Sequence, residues 1–436
     1  MNGQNNDIPE GFKMTELGTL PDEWKVVPIC DAAFVTSGGS APQGDHYFGG
    51  NNPFVRVQHI EQDLDRITGW NLITDQAVQD CGLRLYPKGT IVFPKSGASI
   101  YLEKRAVLPI DAYIVSHLCA LTPKNEIVDN SFLFQALRNI RLAELKADGY
   151  PTLNLSEIKV RMVPLPPLSE QKAIARVLSV IHNAVETQDK IITAAKELKK
   201  SIMRYLFTYG TVPVPEAENV PLKETEIGPM PEHWETIKVG DVVITTQYGL
   251  SLRGEQSGKY PILRMSNLGD GRVHDSDLQY VNLEVKDFEK FRVKKRDILF
   301  NRTNSYELVG KTALFDLEGD FVFASYLVKV VPNLTRLIPE YLNYYLNCKQ
   351  VQNRLRMLAT RGVSQSNINA TKLRGFMIPL ATATEQQEIA RMLSSVDKKI
   401  EGEENRKAAL KTLFKTTLHH LMTGKVRVKD MEATVS

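Results

Sequence analysis

The chain has 436 residues, 42% of them apolar and 24% charged, and a net charge of +3. That is an ordinary globular composition with material for more than one core, spread over two to four domains at roughly 150 residues each. It excludes disordered and collagenous chains, and no run approaches the roughly 18 apolar residues of a membrane span. The balance is also less basic than an autonomous nucleic-acid-binding domain, so any basic patch must be local.

The opening MNGQNNDIPEGFK has no basic region followed by an apolar one, and no secretory leader is expected. Cys30, Cys81, Cys119 and Cys348 are scattered, with no CxxC pair. They predict free thiols in a reducing compartment, and hence a cytoplasmic protein, rather than a zinc site or disulfides. After a segment over 1–20, a globule is expected over 21–166. Short β-rich runs such as FVRV and TIVF alternate there with Gly- and Pro-marked loops, and one helix follows over FLFQALRNIRLAELKA.

The prolines of PLPPLSEQ end the globule and a long helix starts, predicted over 167–209. Ser169 is its expected cap, with Glu170 in the first turn where the helix dipole favours an acid. Apolar residues recur at alternating steps of three and four through Ile174, Leu178, Ile181 and Val185. A mean step of about 3.5 is a coiled-coil seam. Gly210 stops the helix, and the proline-rich linker 210–230 is expected to be extended.

A second globule follows over 231–381, with DILF, FVFASYLVKVV and one helix over PEYLNYYLNCKQVQNRLRMLA. A second long helix is predicted over 382–424, with Thr384 and Gln387 at capping-box spacing. Its seam is Ile389, Leu393, Val396 and Ile400, and a tail covers 425–436.

This order is the same unit said twice. EQKAIARVLS at 170 and EQQEIARMLS at 385 agree at seven of ten positions, an offset of 215. TELGTLPDEW aligns with TEIGPMPEHW at 210, PFVRVQHI with PILRMSNL at 208, and GTIVFPKSG with RDILFNRTN at 207. GYPTLNLSEIK aligns with GVSQSNINATK at 213, so the offset drifts only by short loop insertions. The fold class expected is α+β: two pseudo-symmetric globules separated by two long helices that form an antiparallel coiled coil. Each helix would run about 39 residues, roughly 60 Å. Polar seam positions such as Gln188, Glu403 and Lys407 make that pairing imperfect. Two similar globules on a spacer suit a target with two half-sites at fixed separation, as duplex DNA offers.

PLPPLSEQKAIARVL with IPLATATEQQEIARML, PDEW with PEHW, and GTIVF with RDILFNRT together resemble the specificity subunits of type I restriction–modification systems, over essentially the whole length. The resemblance implies a target-recognition domain in each half, followed by a spacer helix, and no catalytic activity in the chain itself. It implies double-stranded DNA read in two parts and two docked methyltransferase subunits, each modifying an adenine in one half-site. Restriction subunits would join the full complex. S-adenosylmethionine, ATP and magnesium would then serve those partner subunits alone. A duplicated DNA-binding and coiled-coil module without a modification partner is the alternative.

Base reading needs Arg, Lys, Asn or Gln at base edges, with hydroxyl and basic groups on phosphates. Three matched places carry such residues. Arg56, Gln58 and His59 match Arg264 and Asn267. Lys95 and Ser96 match Arg302 and Thr303, with Asn301 and Asn304 adjoining. The loop with Tyr150, Thr152 and Asn154 matches the one with Arg361, Ser364 and Gln365, and Lys104 matches Lys311.

Other chemistries fail on residues. VGKT at 309–312 lacks the earlier glycine of a phosphate loop, since Ser305 stands in its place. PDEWK crowds its acids into five residues, and its counterpart PEHWE loses the lysine, so a tryptophan framing the fold explains both better than a nuclease metal site. No Asn/Asp-Pro-Pro-aromatic motif for an adenine methyltransferase is present, and no GxGxxG. His419-His420 reads as a partner of a helix C-terminus rather than a metal site.

Overall fold

A computed structural model describes residues 8–62, 64–141, 144, 151–363 and 365–428. The chain divides into two compact units, one of residues 1–187 with 406–436 and one of 188–405. The partition does not follow the sequence repeat. Each long helix, Leu168–Tyr209 and Ala383–Met422, gives one half to each unit.

Both units repeat one strand plan. In the first, Ala33–Ser37, Leu118–Pro123, Ile91–Pro94 and Ala106–Val107 form a four-stranded sheet in that spatial order. In the second, Val243–Tyr248, Leu327–Pro332, Ile298–Asn301 and Thr312–Leu314 stand in the same order, and Arg272–Val273 and Leu268–Gly269 extend it to six strands. Successive side chains of a strand face opposite ways, so these central strands serve two cores. In the first unit, Ile91, Phe93, Cys119 and Leu121 pack toward the helices, while Val92, Leu118 and Ala120 fill a separate cluster. In the second, Ile298, Phe300, Val328 and Val330 face the helices, and Leu299, Ala313 and Leu327 face away.

The helices pair antiparallel inside each unit. Ile174 and Leu178 of the first helix share a core with Leu418, Leu421 and Met422 of the second. In the other unit, Met203, Leu206 and Phe207 share one with Ile389 and Leu393. The remaining seam residues are consistent: Val185 and Ile400 are buried, and Ile181 and Val396 half-buried. The polar seam position Gln188 is buried and donates to the Glu403 carboxylate at 2.5 Å.

The repeated EQ and PxxW motifs lock each globule onto its helix. Trp24 and Trp234 are fully buried, and their indole N–H groups donate to Glu170 and Glu385, both at 3.0 Å. The adjacent glutamines staple backbone. The Gln171 amide donates to Pro166 O and Ile127 O and accepts from the Asp129 N–H. Gln386 treats Ala381 O, Arg336 O and the Ile338 N–H in the same way. Arg427 closes the first lock on Glu170 at 2.6 Å, and His233 the second on Glu385 at 3.0 Å.

Three local expectations are corrected. The second long helix is capped by Thr382 with Glu385, not Thr384 with Gln387: Thr382 Oγ1 accepts from the Glu385 N–H at 3.3 Å, and the Glu385 carboxylate accepts from the Thr382 N–H at 3.2 Å. At the first helix, Glu170 is taken by Trp24 and Arg427, while the N–H groups of Glu170 and Gln171 donate to Pro167 O, and among the described residues Ser169 makes no cap hydrogen bond. The helix expected over 339–359 is two, Pro339–Leu346 and Lys349–Met357. Asn347 interrupts it by turning its amide onto Thr312 O at 2.9 Å. All four cysteines are free, and burial pushes the Cys119 and Cys348 thiols up to about 12.

Candidate nucleic-acid interface

In each unit a buried strand runs out into a polar edge. In the first, the strand Ile91–Pro94 leaves at Lys95, whose N–H donates to His117 O at 2.9 Å and whose carbonyl accepts from the Leu153 N–H at 2.8 Å. Ser96 then bridges Thr152, and its Oγ lies 2.6 Å from His117 Nδ1. In the second, the strand Ile298–Asn301 leaves at Arg302, whose N–H donates to Tyr326 O at 3.0 Å and whose carbonyl accepts from the Ile368 N–H at 2.8 Å. Thr303 then pairs with Asn367, which donates to Thr303 Oγ1 at 2.7 Å. Two places that the sequence offered separately are therefore one place in each unit. The backbone frame is common, and the side chains it presents differ.

In the second unit this edge is a three-stranded sheet, with Ser366–Asn367 between Thr303–Asn304 and Thr360–Arg361. The Arg361 guanidinium lies over the Tyr306 ring at 4.2 Å, and that of Arg302 over the Tyr248 ring at 4.7 Å. Arg302 also donates to Ser325 O at 3.2 Å. Val363 at the turn is fully exposed, Gln365 is exposed, and a cleft of about 270 Å³ opens between Ser305, Tyr306, Arg361 and Gly362. Asn304 is half-buried and its Oδ1 accepts from the Ser305 N–H at 2.8 Å. Tyr150 and Ser364 lie outside the described residues. Tyr248 and Tyr306 were not singled out in the sequence; aromatic residues interleaved with arginines were the available signal.

Two candidates are buried in this structure rather than presented at a surface. Asn267 is 1% exposed, and its amide donates to Ser276 O and His274 O while its Oδ1 accepts from the Arg264 N–H. It shapes a loop from inside. Asn301 is 0% exposed at the end of a central strand. The matched arginines flank these loops in different states. Arg264 donates to Asp277 O at 2.6 Å and to its carboxylate at 3.0 Å. Arg56 is half-buried over Phe48 and Phe54, at 5.4 and 5.7 Å. Beside it, His59 Nδ1 accepts from the Arg56 N–H, and burial, with the Arg56 charge, lowers the imidazole pKa and favours the neutral ring. Gln58 and Asn154 are exposed, and Lys95, Ser96, Lys104, Thr152, Thr303 and Lys311 are half-buried. Asn154 donates to Glu157 at 3.3 Å.

VGKT turns at Gly310 into the strand Thr312–Leu314, whereas a phosphate loop leads into a helix. Among the described residues no group of three or more His, Cys, Asp and Glu side chains could hold a metal, and no helix is long and apolar enough to cross a membrane.

The model of the type I restriction modification DNA specificity domain matches twice, over residues 21–197 and 231–412. The chain is 26% identical to the type I restriction enzyme MjaVIII specificity subunit of Methanocaldococcus jannaschii, over 97% of either chain. It is 22% identical to the EcoKI specificity subunit of Escherichia coli, over 87% of this chain and 83% of that one. Among solved structures it resembles a chain of a type I restriction–modification assembly, with a TM-score of 0.54 and 18% identity over 93% of this chain and 99% of that one. It also resembles the S subunit from M. genitalium, with a TM-score of 0.52 and 15% identity over 96% and 98%.

Proposed function

The chain belongs to the type I restriction–modification DNA specificity family, and on that premise we propose that it reads a DNA target in two parts, one with each unit. The observation that carries this reading is the edge built twice on one backbone plan. It offers Lys95, Ser96 and Thr152 in one unit and Arg302, Thr303 and Asn367 in the other. A constant frame with different donors and acceptors is what two readers of different short sequences require. Each good bidentate base contact contributes about 1–3 kcal/mol of discrimination. Joining two weak readers makes the second contact intramolecular and raises avidity.

The chemistry then belongs to partners. Two methyltransferase subunits dock on the long helices and adjoining faces, where Arg176 and Arg391 are exposed, and each modifies an adenine in one half-site. Restriction subunits join through them. S-adenosylmethionine, ATP and magnesium are theirs, and the chain works with them in the cytoplasm. The test maps methylated adenines across the host genome by single-molecule sequencing, with and without this chain. The expected result is loss of one motif made of two short blocks around a fixed gap. Loss of a single unbroken motif, or no loss, would reject the two-part reading.

A further inference from the structure

We propose that Arg361, held over the Tyr306 ring, reads a guanine in the half-site of the second unit. This deepens the function proposed above and rests on it. Several arginines of the second unit are neutralised. Arg264, Arg272, Arg292, Arg296 and Arg356 each pair with a carboxylate, of Asp277, Glu401, Asp320, Glu340 and Glu307. Arg361 is exposed, and among the described residues no carboxylate pairs with it.

Its partner is the Tyr306 ring, 4.2 Å below the guanidinium. A guanidinium held over a ring leaves its N–H groups uncommitted, where a salt bridge would consume them. Guanine presents two acceptors, O6 and N7, on its major-groove edge, and an arginine fork matches both at once. The carrier fits that groove. Thr360–Arg361 is an outer strand of the small sheet, its turn ends in the exposed Val363, and the major groove, roughly 12 Å wide, admits a two-stranded ribbon. Arg302, also on a tyrosine, spends one donor on Ser325 O and is the weaker reader of the two.

A phosphate contact would use the charge of Arg361 but not its shape, and Arg361→Lys separates the two because it keeps the charge and loses the fork. The experiment repeats the methylation map in hosts whose only copy of the chain carries Arg361→Lys, Arg361→Ala, Tyr306→Ala or Tyr306→Phe. Both Arg361 variants are expected to make one G·C position degenerate in one block, with discrimination there falling roughly 5- to 150-fold. The other block and the gap stay unchanged. Tyr306→Ala loosens the same position, and Tyr306→Phe leaves the motif intact. An unchanged motif overturns the assignment. So does degeneracy in both blocks, or an even fall in methylation at all sites with no position relaxed. If the unaltered chain imposes no split motif, the two-part function itself fails and this assignment with it. If that motif is present and only the variants behave otherwise, the guanine reading alone falls.

Discussion

The repeated EQ reads as a helix start in the sequence, and its side chains turn out to be locks. Burial raises the pKa of Glu385, but hydrogen bonds from Thr382, Trp234 and His233 together outweigh it and hold the carboxyl below the usual range. A carboxylate whose folded pKa is depressed adds stability above its unfolded value, about 4.3, and loses it as pH falls through the folded value. Glu385→Gln is therefore expected to destabilise the protein near neutral pH, with the difference from the unaltered chain shrinking below about pH 4.3. Urea melts at about pH 7 and pH 3.5 measure this, and a difference that is constant with pH would reject it. Gln171 and Gln386 are each 1% exposed and each satisfy three backbone groups. Replacing either by alanine leaves buried backbone groups unpaired, at a cost of about 1–3 kcal/mol each. The two variants are expected to be similarly destabilised, and a loss in only one would mean that the matched glutamines are not equivalent. The motif made these residues visible. Their partners Ile127 O and Arg336 O lie 44 and 50 residues away in the chain, and no local pattern encodes them.

Among the elements, the long helices were legible because a seam repeating every three or four residues has few other readings. Their starts were less so. ATATEQQ holds two overlapping capping boxes, and the Glu385 that serves Thr382 is also held by Trp234, 151 residues earlier in the chain. The helix over 339–359 looked continuous for a similar reason, since its break is held by Asn347 against Thr312 in another strand. The seam's polar pair carries a prediction of its own. Gln188 is 3% exposed and bonds Glu403, whose side chain is 19% exposed. Gln188→Leu alone takes the Gln188 hydrogen bond from the Glu403 carboxylate, which keeps the outer Lys399 at 3.9 Å beside an apolar seam, and is expected to cost about 1–3 kcal/mol. Gln188→Leu with Glu403→Leu turns the pair into an apolar contact and is expected to recover that loss or exceed it. A double-mutant cycle in urea measures the coupling, and strictly additive losses would show that the two side chains do not depend on each other.

At the scale of the whole molecule, the repeat identifies kinship and does not identify packing partners. The sequence divides the chain into a globule and its own helix, twice; the structure closes each unit with half of the other helix. The antiparallel pairing expected from the seams leads to this exchange, although the offset of 215 between the EQ motifs, taken alone, points the other way. It follows that the C-terminal end of the chain stabilises its N-terminal half. Leu418, Leu421, Met422 and Val428 lie in the same core as Ile91, Phe93 and Leu121, and Arg427 bonds Glu170 and Glu23. Each large apolar side chain so buried contributes about 1.5–3 kcal/mol. Four of them approach the 5–15 kcal/mol that holds a typical domain folded, even after allowance for residual burial in the unfolded chain. A chain ending at Asn405 is therefore expected to lose amide-exchange protection in the distant strands Ile91–Pro94 and Leu118–Pro123, while Ile298–Asn301 and Leu327–Pro332 stay protected. Had each globule closed on its own helix, the same truncation would strip protection from the second unit and spare the first. Hydrogen exchange read strand by strand decides between these arrangements.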